Sequence, residues 1–108
     1  MDSEQQIMEI IGSAGTSKSL AFSALAKVRE HDYDGARAVL QKAKEADLKA
    51  HAAQTKLIAD ALSGAEGSST ASLLMVHAQD HYMTSQLARD LIEELVKIIE
   101  ERDGERSE

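Results

Sequence analysis

Apolar residues recur at steps of three and four along most of this chain, the spacing of one face of an α-helix. Over residues 3–30 the series is Ile7, Ile10, Ile11, Ala14, Ala21, Ala24, Leu25 and Val28. A second series, Ala36, Leu40, Ala43, Ala50, Leu57 and Ala61, predicts a helix over 34–63. A third predicts one over 69–102, with Leu73, Leu74, Leu87, Leu91, Leu95 and Ile98 inward. The breaks are "EHDYDG" at 30–35 and "SGAEGSS" at 63–69, and a short charged tail occupies 103–108. Asp32 or Asp34 can cap the second helix, and the Ser68, Ser69, Thr70 cluster can start the third. Gly12 and Gly15 weaken the first helix and predict close packing or a local irregularity there.

Long helices with short connections fold back on each other, so the expected subunit is an all-α, antiparallel three-helix, up-down-up bundle. The apolar arc of the third helix is unusually wide, because Leu74, Ile92, Leu95 and Ile99 extend beyond the line Leu73, Leu87, Leu91, Ile98. An arc of that width is expected to face both its own chain and another subunit.

Composition narrows the partners. With 108 residues, 43% of them hydrophobic, the chain fits one domain, 1–108, without an apolar run long enough to cross a membrane. Twelve Lys and Arg against 19 Asp and Glu give a net charge of −7, which repels nucleic acid and anionic lipid. The only aromatics are Phe22, Tyr33 and Tyr82, too few for a base-stacking platform. Cysteine is absent and "MDSEQQ" lacks a signal-peptide pattern, so a cytoplasmic location is expected. No proline interrupts the helices.

The apolar stripe of the third helix is itself interrupted by "HAQDH", residues 77–81. Counting in sevens puts His77, Thr84, Leu91 and Ile98 on one line and Leu73, Asp80, Leu87 and Glu94 on the next. His77, Asp80 and His81 therefore project from one side of the helix, among apolar residues. A buried Asp80 needs a partner, a metal or a shared proton. Asp47, His51 and Gln54 form a second polar block on the middle helix, and an antiparallel pairing can bring His51 and Gln54 level with His77.

Three readings stay open from the residues alone. The block can be hydrogen-bonded core polarity with no chemistry. His77 and His81, at i and i+4, can chelate zinc, although a third and fourth ligand are wanting. Or His77 can act as a nucleophile, holding a phosphoryl group as a phosphoramidate. No GxxxxGK[ST] loop is present, so the phosphoryl donor of that third reading is not ATP bound here.

"LLMVHAQDHYMTSQLARDLIEEL", with "AHAAQTKLI" and "IIGSAGTSKSLAFSALA" upstream, resembles the enzyme IIA component of the lactose/cellobiose (and chitobiose) branch of the bacterial phosphoenolpyruvate-dependent sugar phosphotransferase system. The likeness runs from about residue 5 to residue 101. It implies a cytoplasmic homotrimer of nine helices and a phosphoryl acceptor at His77, modified on its tele nitrogen. The group would come from the phosphocarrier HPr and pass to a cysteine of a IIB component, for disaccharide transport of the lactose, cellobiose or chitobiose class through IIC. The resemblance also matches Asp80 to a metal-binding aspartate shared by three subunits on the threefold axis. It leaves His81, Gln79, His51 and Gln54 without an assigned role. Tyr82 stands where leucine is more usual, a change that bears on packing beside the acceptor.

Three carboxylates converging at about 4 Å repel by roughly 4 kcal/mol per pair at an effective dielectric of 20, so protons or a cation must accompany them. Oxygen-only ligation with positions left for water suits Mg²⁺, one per trimer, better than zinc. A non-catalytic helical interaction or regulatory module remains the alternative function, and a metal-storage bundle a third; neither predicts a phosphohistidine.

Overall fold

The computed structural model describes residues 3–63 and 73–107, which form three helices: α1 (Ser3–Arg29), α2 (Tyr33–Ser63) and α3 (Leu73–Ser107). They lie antiparallel in a rod of 62 × 19 × 16 Å, one helix long and about two helices thick. The start expected for the third helix at Ser68, Ser69 and Thr70 lies outside the described residues.

The α1–α2 corner shows why the chain turns where it does. His31 takes the left-handed conformation at φ 62°. Its amide bonds to the Val28 carbonyl at 2.9 Å, and the Asp32 amide reaches the Lys27 carbonyl at 2.9 Å. This is the paired bonding that satisfies the last carbonyls of a helix, with histidine in the place glycine usually takes. Asp32, rather than Asp34, then caps α2, its carboxylate accepting from the Gly35 amide at 2.8 Å. Gly35 has a steric reason to be glycine, since a Cβ there would collide with the Asp32 carboxylate.

Two apolar clusters fill the interior. One gathers Ala21, Ala24 and Val28 of α1, Ala36, Leu40 and Ala43 of α2, and Ile92 and Val96 of α3. The other gathers Ile7 and Ile10, Ala50, Ala53 and Leu57, and Ala78 and Tyr82. Between them, α2 and α3 contribute polar rather than apolar side chains, namely Asp47, Ser85 and Arg89.

Four expectations change. First, α3 stays helical to Ser107, so the residues assigned to a tail belong to the bundle. The Asp103 carboxylate holds them, accepting from the Tyr33 hydroxyl and pairing with His31 Nδ1 at 2.9 Å, while Arg37 grips Glu100 at 2.6 and 2.8 Å. The Tyr33 hydrogen bond holds the Asp103 carboxyl below the usual range, and the same bond pushes the Tyr33 phenol up to about 12. Second, Gly12 and Gly15 neither interrupt α1 nor admit a close neighbour in this chain: a Cβ at either position meets nothing within 4 Å. Third, Ala61 is exposed near the end of α2.

The fourth concerns α3. Leu73, Leu87, Leu91, Leu95 and Ile98 point outward, with Leu87 67% and Leu91 56% exposed. The side that packs inside the chain is Ala78, Tyr82, Ser85, Ile92 and Val96. Periodicity identifies two stripes on this helix but carries no label saying which one its own chain covers.

Candidate functional site

His77, Gln79, Asp80 and His81 sit on the second and third turns of α3, one turn beyond the first described residue of that helix. On the α2 side the contact is a ladder of polar rungs. Gln54 donates to the Gln79 side-chain oxygen, His51 Nδ1 meets the Tyr82 hydroxyl at 3.0 Å, and the Asp47 carboxylate accepts from Ser85 at 3.2 Å and from Arg89 Nε at 2.6 Å. Each step of three or four along α2 is matched by a step of three or four backward along α3, as antiparallel helices require. That register corrects one expectation. The α2 block answers Gln79, Tyr82, Ser85 and Arg89: Gln54 comes within about half a turn of the level of His77, while His51, opposite Tyr82, is more than a turn from it.

His77 and His81 do come together. Their Nε2 atoms are 3.1 Å apart and the rings meet edge to face, with centroids 4.6 Å apart. His77 is exposed and His81 half-buried. A hydrogen bond at that separation needs one proton between the two nitrogens. If His81 carries it, His77 presents a lone pair on Nε2 and keeps its own proton on Nδ1. Beneath them Thr84 Oγ1 donates to the carbonyls of Asp80 at 2.7 Å and His81 at 3.2 Å, tying off the backbone of the site's turn.

Asp80 differs from its expected surroundings. Within one chain it is exposed, and its carboxylate has no hydrogen bond or ion pair among the described residues. Its neighbours on that side, Leu73, Val76, Met83 and Leu87, are exposed as well. Among the described residues the buried carboxylate is Asp47, 3% exposed and answered by Arg89. Taken alone, a carboxylate removed from water costs several kcal/mol; paired with a guanidinium and a hydroxyl it is tolerated.

Sequence reasoning missed Arg89, Ser85 and Gln86 as partners. Their signal was present, since Tyr82, Ser85 and Arg89 share a face at steps of three and four, but Arg89 reads as a solvated charge unless Asp47 is set opposite. Gln86 Nε2 donates to the Tyr82 hydroxyl at 3.0 Å. Burial raises the Tyr82 phenol above its ordinary value, with Asp47 adding to the shift, so the hydroxyl stays protonated and free to donate onward. Among the described residues no three His, Cys, Asp or Glu side chains form a group able to hold a metal, and no helix is long and apolar enough to cross a membrane.

Residues 5–100 match the family described as the lactose/cellobiose-specific IIA subunit of the PTS system. An N,N'-diacetylchitobiose-specific EIIA component of Escherichia coli (strain K12) is 42% identical over 97 residues, covering 90% of this chain and 82% of the relative. A lichenan-specific phosphotransferase enzyme IIA component of Bacillus subtilis (strain 168) is 39% identical over 103 residues, 95% of this chain and 92% of that protein. Among solved structures, the IIA(Chitobiose)–HPr complex of the N,N'-diacetylchitobiose branch of the Escherichia coli phosphotransferase system superposes with a TM-score of 0.81 at 40% identity, covering 95% of this chain and 98% of that one.

Proposed function

The chain belongs to the lactose/cellobiose-specific IIA family of the phosphotransferase system and is a phosphocarrier in sugar uptake; on that premise we propose that it carries the phosphoryl group on Nε2 of His77. The observation that carries the assignment is the imidazole pair, with exposed His77 and half-buried His81 holding their Nε2 atoms 3.1 Å apart. The lone pair of His77 Nε2 attacks phosphorus, the N–P bond forms, and the bond from phosphorus to the donor breaks with its electron pair leaving on the donor. As this happens the His81 N–H loses its acceptor on His77 and is placed to donate to a phosphoryl oxygen instead. In the onward step a thiolate attacks, an S–P bond forms, and the pair returns to His77 Nε2. His77 needs no deprotonation in either step, because a neutral imidazole attacks through the lone pair of its unprotonated nitrogen.

The donor is phospho-HPr, a reading supported by the similar IIA component solved in complex with HPr. The acceptor is the cysteine of a IIB component, working with IIC in the cytoplasmic membrane while this protein stays in the cytoplasm. The sugar belongs to the disaccharide class of the chitobiose, cellobiose and lactose relatives.

The outward stripe of α3 supports a homotrimer of nine helices. A line of Leu73, Leu87, Leu91 and Ile98 exposed on one helix is more than a soluble monomer ordinarily leaves uncovered. Threefold packing along it brings three Asp80 carboxylates to the axis. They fit Mg²⁺ as hard oxygen ligands, and a bound ion would offset the repulsion among the three carboxylates there. His77, three residues before Asp80, points about 60° around the helix from that axis, toward a groove between subunits.

The deciding experiment is incubation with labelled phosphoenolpyruvate, enzyme I and HPr. The wild type takes up acid-labile, base-stable label, and His77→Ala takes up none while keeping its helical content. Label surviving that substitution moves the acceptor elsewhere.

A further inference from the structure

The acceptor turn needs something to fix how α3 is rotated about its own axis. The apolar packing around it is smooth, because Ala78 meets Ala50 and Ala53. Gln54 and Gln79 are both flexible side chains. Tyr82 is different: it is the largest buried side chain on this part of α3, 5% exposed, with two rotatable bonds and a phenol held at both sides. Gln86 Nε2 donates to its oxygen at 3.0 Å, and the hydroxyl also meets His51 Nδ1 at 3.0 Å, donating to it when that nitrogen is unprotonated. The His51 ring lies tilted by 32° to the phenol, with centroids 6.3 Å apart.

Tyr82 follows His81 directly and sits roughly 140° around the helix from His77, on the far side from the reacting nitrogen. It therefore works as an anchor opposite the site. A helix rotation of about 10° moves an imidazole nitrogen roughly 7 Å from the axis by about 1 Å, enough misplacement to cost up to 10²-fold in rate. We propose that Tyr82 is a positioning residue for phosphoryl transfer, its hydroxyl bridged between His51 and Gln86 so that α2 sets the orientation of the His77–His81 pair. The inference rests on His77 being the acceptor. It makes no demand on the sugar or on the cation.

Tyr82→Phe keeps the packed ring and removes only the bridge, and His51→Ala removes the other end from an exposed position. In phosphoryl transfer from phospho-HPr, each lowers kcat by roughly tenfold, with the KM for phospho-HPr within about twofold of the wild type. The double variant is no slower than either single one, because both break the same bridge. Wild-type kcat in Tyr82→Phe, or losses that multiply in the double variant, overturns the proposal. Should Tyr82→Phe fail to fold, His51→Ala decides in its place: its kcat must fall while its melting temperature stays put, and an unchanged kcat overturns the proposal. Uptake of label by His77→Ala sinks the acceptor assignment instead, and so separates the two failures.

Discussion

The two sides of α3 divide labour in a way that composition alone inverts. The side packed inside the chain is built from small or polar residues, Ala78, Ser85 and Arg89, with Tyr82, Ile92 and Val96 between them. The side left open carries Leu73, Leu87, Leu91, Leu95 and Ile98, interrupted by Asp80. Leucines bury more area than alanines and stabilise in proportion, so the greater hydrophobic return on this helix lies outside the chain. The inward side contributes specificity: its hydrogen-bonded rungs fit α2 in one register only. A helix designed for one chain alone would be expected to reverse this, with leucines inside and the polar ladder at the surface.

Substitutions on the open side test that division most severely. If the proposed trimer forms along this stripe, Leu87→Lys with Leu91→Lys leaves a helical monomer in sedimentation and removes the concentration dependence of the melting temperature. Asp80→Leu should act oppositely, keeping the trimer at least as stable while abolishing bound Mg²⁺ in metal analysis. A trimer that survives both lysines moves the interface off this stripe.

On the inward side, Asp47→Ala leaves Arg89 only the exposed Asp90 as a partner and should cost up to about 3 kcal/mol in chemical denaturation, at every protein concentration. Replacing both, Asp47→Leu with Arg89→Met, should recover most of that loss. A double variant as unstable as the single one would mean that the pair does more than compensate its own burial.

The smallest effect concerns the far end of α3. Asp103 titrates below its ordinary value in the folded chain, so it adds stability above about pH 4 that disappears as pH falls through the folded-state value. Thermal melts should accordingly show Asp103→Asn less stable than the wild type at pH 7, with the gap narrowing as the pH falls below about 4. A gap unchanged by acid would assign the effect to packing rather than to the carboxylate.

The three helices are visible in the sequence because periodic burial at 3.6 residues per turn is a local property, recorded wherever an apolar residue recurs. Asp32 and Asp34 were both legible as caps, and only the folded corner selects Asp32, since its carboxylate must reach the Gly35 amide. The extent of α3 was not legible. "RDGERSE" is polar and glycine-containing, and its Asp103 is held by Tyr33 and His31 from a corner about 70 residues earlier in the chain. The HAQDH cluster was conspicuous as a polar intrusion, and the pairing of His77 with His81 follows from their i, i+4 spacing. The expected burial of Asp80 fails within one chain because the apolar residues around it point out with it.

By itself the sequence determined an all-α chain, the approximate helices, an anomalous turn at His77 to His81, and the family whose motif that turn carries. Those depend on neighbours within one or two helical turns, so their signature is local. Only the tertiary structure decided that His51 meets Tyr82 rather than lying level with His77, that Asp47 rather than Asp80 is the carboxylate buried in the chain, and that the leucines of α3 face outward. Each of these depends on the axial register and rotation of one helix against another. A slide of three or four residues changes both while leaving every helical periodicity intact.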